Sequence, residues 1–322
     1  MGAAPAVLFG MLGATIAAAL PAAVAVGAAV EADLGDSLMA DRAADGVAWD
    51  WWQEFLGRAR GLGATLVPSV IGFAAPLRNL SDLADAVPPA PAIAAILAVQ
   101  LAVWIFLTGG VVDRLARARR TGAYHFFGAC GACWPRLLRL ALLAGAAYAF
   151  LFGVVHGWLF EDLYGRLTRD TIVERRAFAV RVGCYALMAA LVAAIDLLFE
   201  YAKVRTVVED RRSALGALAA AARFLRRHPG GAMALYLVNV GAFATALALY
   251  ALVAPGVTGP LPGLWGGFLV GQIYILARLW VKLVALASQI AFFQTRLAHA
   301  GYAALPLAER PEPPVVEALG GR

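Results

Sequence analysis

Four charges stand where an apolar chain is expected to carry none. Asp196 and Glu200 fall within the stretch 178–201, and Arg278 and Lys282 within 265–293. A charge in lipid is costly, so such residues face protein or water and pair with one another. Each pair has i,i+4 spacing and therefore occupies one face of a helix. Both stretches run in the same direction at matching depths, which predicts Asp196–Arg278 and Glu200–Lys282 contacts in the inner half of the bilayer. Two readings follow. The charges form a clamp that fixes helix register, with Lys282 snorkelling to the headgroups, or they line a substrate, proton or lipid-headgroup site. Gln272 and Gln289 extend the polar ladder around Arg278 and Lys282. Asn239 and Gln100 are read as interhelical hydrogen bonds.

Other residues offer less chemistry. Cys130-Gly-Ala-Cys133 is a CxxC with His125 nearby, but two sulfurs and one imidazole do not close a tetrahedral metal site. Packing is its simpler role, and redox or metal chemistry the sharper one. His156 is read as a buried or interfacial histidine. Arg119, Arg120, Arg211 and Arg212 are candidate contacts to lipid headgroups, with Glu209 and Asp210 forming a local charge network beside the second pair. No HExxH, P-loop or GxSxG occurs. The sequence nominates no catalytic residue, no metal ligand and no cofactor.

The elements that must carry these residues are transmembrane helices. The chain has 322 residues, of which 62% are apolar and 15% charged, and its mean hydropathy is +0.74. That balance is far from a soluble domain. The net charge of +6 comes from arginines flanking apolar segments, not from a basic stripe with aromatics, so nucleic acid is excluded as a partner and membrane lipids are implied. Three cysteines make no disulfide framework.

A helix needs about 20 apolar residues to cross the hydrocarbon. Six stretches qualify, at about 6–30, 92–112, 137–160, 178–201, 232–254 and 265–293. They predict an all-α polytopic bundle, with residues 1–300 as one membrane domain and 301–322 as a Pro-rich, disordered cytoplasmic tail. The first stretch reads as an uncleaved helix, with removal as a signal peptide the alternative. Residues 31–90 form an acidic external segment. Within it Trp51, Trp52, Phe55 and Leu56 fall on one face of an interfacial amphipathic helix. Tyr124–Arg136 reads as a second surface helix. Ser213 caps a third, with Leu215, Leu218, Ala222 and Leu225 on its apolar face.

Orientation follows from Lys and Arg. The loops after the second and fourth spans, with the tail, hold sixteen; the other side holds nine. Basic loops stay inside, which puts both termini in the cytoplasm. Two units, each a span, an Arg-Arg-Thr or Arg-Arg-Ser turn, a surface helix and a span, echo each other. They are either a parallel repeat or two answers to one topological problem.

The passage Tyr201-Ala-Lys203-Val-Arg205-Thr-Val-Val-Glu209-Asp210-Arg211-Arg212-Ser213, with its surface helix and next span, resembles uncharacterised bacterial six-span proteins. In layout over about 90–300 it is similar to the membrane domain fused to some glycerophosphodiester phosphodiesterases. The resemblance implies a bacterial inner-membrane location and a helical bundle. No phosphodiesterase catalytic segment accompanies it, so it implies no activity. The expected function is a structural, assembly or envelope-homeostasis role, with a small transporter or lipid-handling protein using the interior charges as the alternative.

Overall fold

The computed structural model describes residues 4–34, 49–65, 74–117, 122–253 and 261–296. The chain is an all-α bundle, and no strand occurs among the described residues. Nine helices are numbered here in chain order: α1 (Ala4–Leu34), α2 (Trp49–Arg58), α3 (Ala74–Ala84), α4 (Pro91–Arg117), α5 (Ala123–Thr168), α6 (Glu174–Val208), α7 (Ala214–Arg227), α8 (Pro229–Val253) and α9 (Leu261–Arg296). Six of them, α1, α4, α5, α6, α8 and α9, are long and apolar enough to cross a membrane, as a multi-pass membrane protein requires. Part of the acidic stretch (35–48), Arg119, Arg120 and the tail at 301–322 lie outside the described residues.

The core is concentrated at the arginine-rich end of the bundle. Val111 and Val112 of α4, Leu137 and Leu140 of α5, Tyr201, Val204 and Val207 of α6, Phe224 of α7, and Leu286, Ile290 and Phe293 of α9 form one buried cluster there. Met11 of α1 joins it. Toward the other end the buried contacts are smaller. Leu151 and Leu159 of α5 pack on Cys184 and Met188 of α6, while Tyr250 of α8 stacks on Tyr274 of α9 at 4.2 Å. Phe178, Val182, Leu249, Phe268 and Ile273 keep large exposed surfaces, as side chains in lipid do.

Tyr124–Arg136 does not lie flat as a separate surface helix. It is the first part of α5 and runs unbroken into the span. The reason is close packing against α4. A Cβ on Gly109 would stand 2.7 Å from the Cys133 Cβ, and one on Gly110 would stand 2.6 Å from the Cys130 Sγ and 2.8 Å from the Phe126 carbonyl. Only glycine lets the two backbones come this near. The CxxC is therefore the packing face opposite Gly109-Gly110. Both thiols are free and buried, and Cys130 Sγ lies 3.8 Å from the Leu107 carbonyl.

Two surface helices also pack otherwise than expected. Trp51, Trp52 and Phe55 of α2 are buried against Val30 and Leu34 of α1 instead of resting their rings in acyl chains. The rings pack on one another, with Trp51 stacked on Phe55 at 5.2 Å, while the indole N–H groups of Trp51 and Trp52 are buried without a hydrogen-bond partner. In α7 the buried stripe is Ala217, Ala220, Ala221 and Phe224, whereas Leu215 is 68% exposed. Alanines admit close approach to α6, and Leu218 and Leu225 pack partly buried against the same core. Ser213 caps α7 as expected, accepting the Gly216 N–H at 3.1 Å. Because α7 is a separate helix while the matching part of the first unit is continuous with α5, the two units that echo each other in sequence differ in shape.

The polar interhelical contacts fall at the expected positions. Gln100 of α4 donates to Thr15 of α1 at 3.0 Å, and Asn239 of α8 donates to Ser288 of α9 at 3.4 Å. His156, half-buried in a π-helical turn region of α5, lies 2.9 Å from the Ala84 carbonyl and ties the end of α3 to the bundle.

Candidate functional site

The four interior charges converge, but not as two direct pairs. Among the described residues no ion pair within 4.0 Å joins Asp196 to Arg278 or Glu200 to Lys282. Glu200 instead holds Lys203, one turn further along α6, at 2.6 Å. A lysine three residues away on the same helix reaches the carboxylate more easily than one on another helix. Tyr236 of α8 and Tyr148 of α5 stand within electrostatic range of the Asp196 carboxylate.

Both bases rest on aromatic faces. The Lys282 ammonium sits 3.7 Å from the centre of the Trp104 ring of α4. The residue as a whole is exposed, and its ammonium lies within electrostatic range of Asp196, Glu200, Lys203 and Arg278. Arg278 lies 5.7 Å from the Phe243 centroid and 5.4 Å from that of Tyr274. The two expected cross-helix pairs are replaced by other contacts because of the direction in which each side chain turns. Arg278 turns to the α8 side and Lys282 to the α4 side. Gln272 and Gln289 each keep a buried amide oxygen without a hydrogen-bond partner.

A second polar cluster was missed. Asp113, Arg117 and His125 were read only as loop residues or as neighbours of the CxxC. Asp113 is 1% exposed. Its carboxylate accepts from Arg117 Nε at 3.1 and 2.9 Å, and its Oδ2 lies 3.0 Å from His125 Nε2. The i,i+4 spacing of Asp113 and Arg117 was visible in the sequence; the burial was not, because it depends on α5 packing back over α4.

The arginine-rich end also carries a cavity of about 270 Å³. The end of α6 with the turn after it, the end of α9 and the α7 face that carries Ala220, Arg223, Phe224 and Arg227 line it. Arg205 is the most deeply set of its arginines. That residue is 8% exposed, its guanidinium stands 5.7 Å from the Phe224 centroid and 5.0 Å from that of Phe293, and Glu209 lies 3.2 Å from its Nη1. Arg211 also pairs with Glu209 and lines the cavity. The neighbouring Arg212 is exposed and is not among the lining residues. Asp210 turns outward to pair with Arg136 of α5. It adopts a left-handed conformation, φ +47°, that closes the end of α6. Of the four headgroup candidates, then, Arg211 lines a recess, Arg212 does not, and Arg119 and Arg120 lie outside the described residues.

Compared with models of known protein families, with curated proteins and with solved structures, the chain gives no match.

Proposed function

We propose that this chain is a multi-pass protein of a bacterial cytoplasmic membrane, with both termini inside and a non-enzymatic role in envelope structure or assembly. The observation that carries the reading is that each interior charge is engaged within the bundle. Asp196 meets Tyr236, Glu200 meets Lys203, Lys282 meets Trp104, and Arg278 meets Phe243 and Tyr274. Charges committed to neighbours on α4, α6, α8 and α9 hold those helices in register. Removing one partner leaves the other without compensation. The inside placement of the termini rests on the excess of Lys and Arg in the loops after α4 and α6. The bacterial setting rests on the resemblance carried by Tyr201–Ser213.

A second reading, lipid handling, is favoured by the arginine-lined cavity at the inner end of α6. Reporter fusions at Asp170 and Arg212, together with the variants Asp196→Asn and Lys282→Gln, separate the readings. The scaffold reading expects an external reporter at 170, an internal one at 212, and variants that insert but melt earlier in detergent. Unchanged melting combined with altered solute uptake or lipid distribution would defeat it in favour of transport or lipid handling.

A further inference from the structure

We infer that the cavity between α6, α7 and α9 is a binding site for phosphate groups. The inference stands on the cavity alone and does not need the scaffold role to be correct. Its lining holds Arg205, Arg211, Arg223, Arg227 and Arg296 against one carboxylate, Glu209. Glu209 is already shared by Arg205 and Arg211. Among the described residues no carboxylate lies within 4.0 Å of Arg223, Arg227 or Arg296. Five guanidinium groups around a small recess repel one another, and that arrangement is stable when an anion occupies the centre.

Arg205 lines the cavity and is more than nine-tenths buried, with its guanidinium carbon 5.7 Å from the Phe224 centroid and 5.0 Å from that of Phe293. A buried cation that shares its one carboxylate with Arg211 gains from an anion in the cavity. Arg296 is similarly laid on Phe292 at 5.6 Å. Arginine is suited to phosphate because its planar donors match two oxygens at once. The volume of about 270 Å³ takes one or two phosphate groups and excludes a large polyanion such as nucleic acid.

Those groups have two sources, an anionic lipid headgroup or a soluble phosphate ester, and the test separates them. Full-length protein in detergent is offered cardiolipin and phosphatidylcholine, with retention read by native mass spectrometry. In parallel, inorganic pyrophosphate is titrated with the melting temperature as the readout. Retention of cardiolipin over phosphatidylcholine, with no effect of pyrophosphate, assigns a lipid headgroup. Stabilisation by pyrophosphate that also displaces cardiolipin assigns a soluble ligand.

Arg205 is too deeply packed to serve as the only probe, so the rim is altered instead. The variant R223Q/R227Q should weaken whichever ligand binds by about tenfold or more, equivalent to about 1.4 kcal/mol. The variant R166Q/R169Q removes the same charge from the opposite end and should leave binding unchanged. The proposal is overturned if neither probe binds, if the rim variant binds as the wild type does, or if both variants lose affinity equally.

Discussion

The Lys282 ammonium faces the Trp104 ring at 3.7 Å, not the Glu200 carboxylate one helix away. An aromatic face attracts a cation through its quadrupole, and it does so without placing a second charge in the bundle. Desolvated contacts of this kind reach about 2 kcal/mol. Trp104→Leu should therefore destabilise the protein by about 2 kcal/mol or more, with lost packing added to the lost contact. In a Lys282→Met background the same change should cost measurably less. A double-mutant cycle on thermal stability in detergent reads the coupling directly; a coupling near zero would show that the ammonium gains nothing from the ring.

Asp113 is expected to be the least replaceable of the carboxylates described above. Its substitution by Asn leaves Arg117 without this partner in a buried setting, and breaking such a pair typically costs about 3–5 kcal/mol. His125→Gln, which keeps a donor opposite Asp113, should cost about 1 kcal/mol. Yields of monodisperse protein and melting temperatures of the two variants check the order. If D113N were as stable as the wild type, the cluster would not be holding α4 to α5.

The contact between Gly110 and Cys130 makes a prediction about rescue. Gly110→Ala drives its methyl group into both a sulfur and a backbone carbonyl, and overpacking of this kind costs about 1–3 kcal/mol. Trimming the sulfur with Cys130→Gly should fail to restore stability, because the Phe126 carbonyl remains in the way. In the wild type both thiols should resist maleimide until detergent unfolds the protein. Rapid labelling of Cys130 in the native state would contradict the packing.

Asp210 tests the turn that sets the cavity wall. Its positive φ costs little in a short polar residue but more in a branched one. Asp210→Gly should leave stability within about 1 kcal/mol, since relief of the backbone offsets loss of the Arg136 pair. Asp210→Val should lose about 1–2 kcal/mol, for it removes the ion pair and strains the backbone together. Melting of the two variants relative to Asp210→Ala separates the contributions.

Much of the architecture was legible because lipid imposes a simple rule on sequence. Long apolar runs between arginine clusters predicted six spanning helices, and the polar residues inside them, Gln100 and Asn239, pointed to neighbours. Ser213 announced the start of α7 through its capping chemistry. What the sequence concealed depended on which face each helix turns. Of the leucines expected on the buried face of α7, Leu218 and Leu225 do pack partly buried against the core while Leu215 is exposed, and the alanines beside them make the closest approach. Trp51 and Trp52 looked like interface anchors because Trp favours that depth in general, whereas α2 folds back on the end of α1. The interior charges were found by composition and mispaired by azimuth. Arg205 counts in the sequence as one more inside-facing charge; only the packing of Phe224 and Phe293, from two other helices, buries it beside the cavity.

The uneven distribution of the core has a mechanical meaning. With Val112, Tyr201, Phe224 and Phe293 riveting one end, and smaller contacts joining the other, namely the α5–α6 cluster, the Tyr250–Tyr274 stack and the His156 tie to α3, the molecule is stiffest at its arginine-rich end. Squeezing or thinning the opposite leaflet would shift the lightly joined helix ends while the riveted end kept its shape.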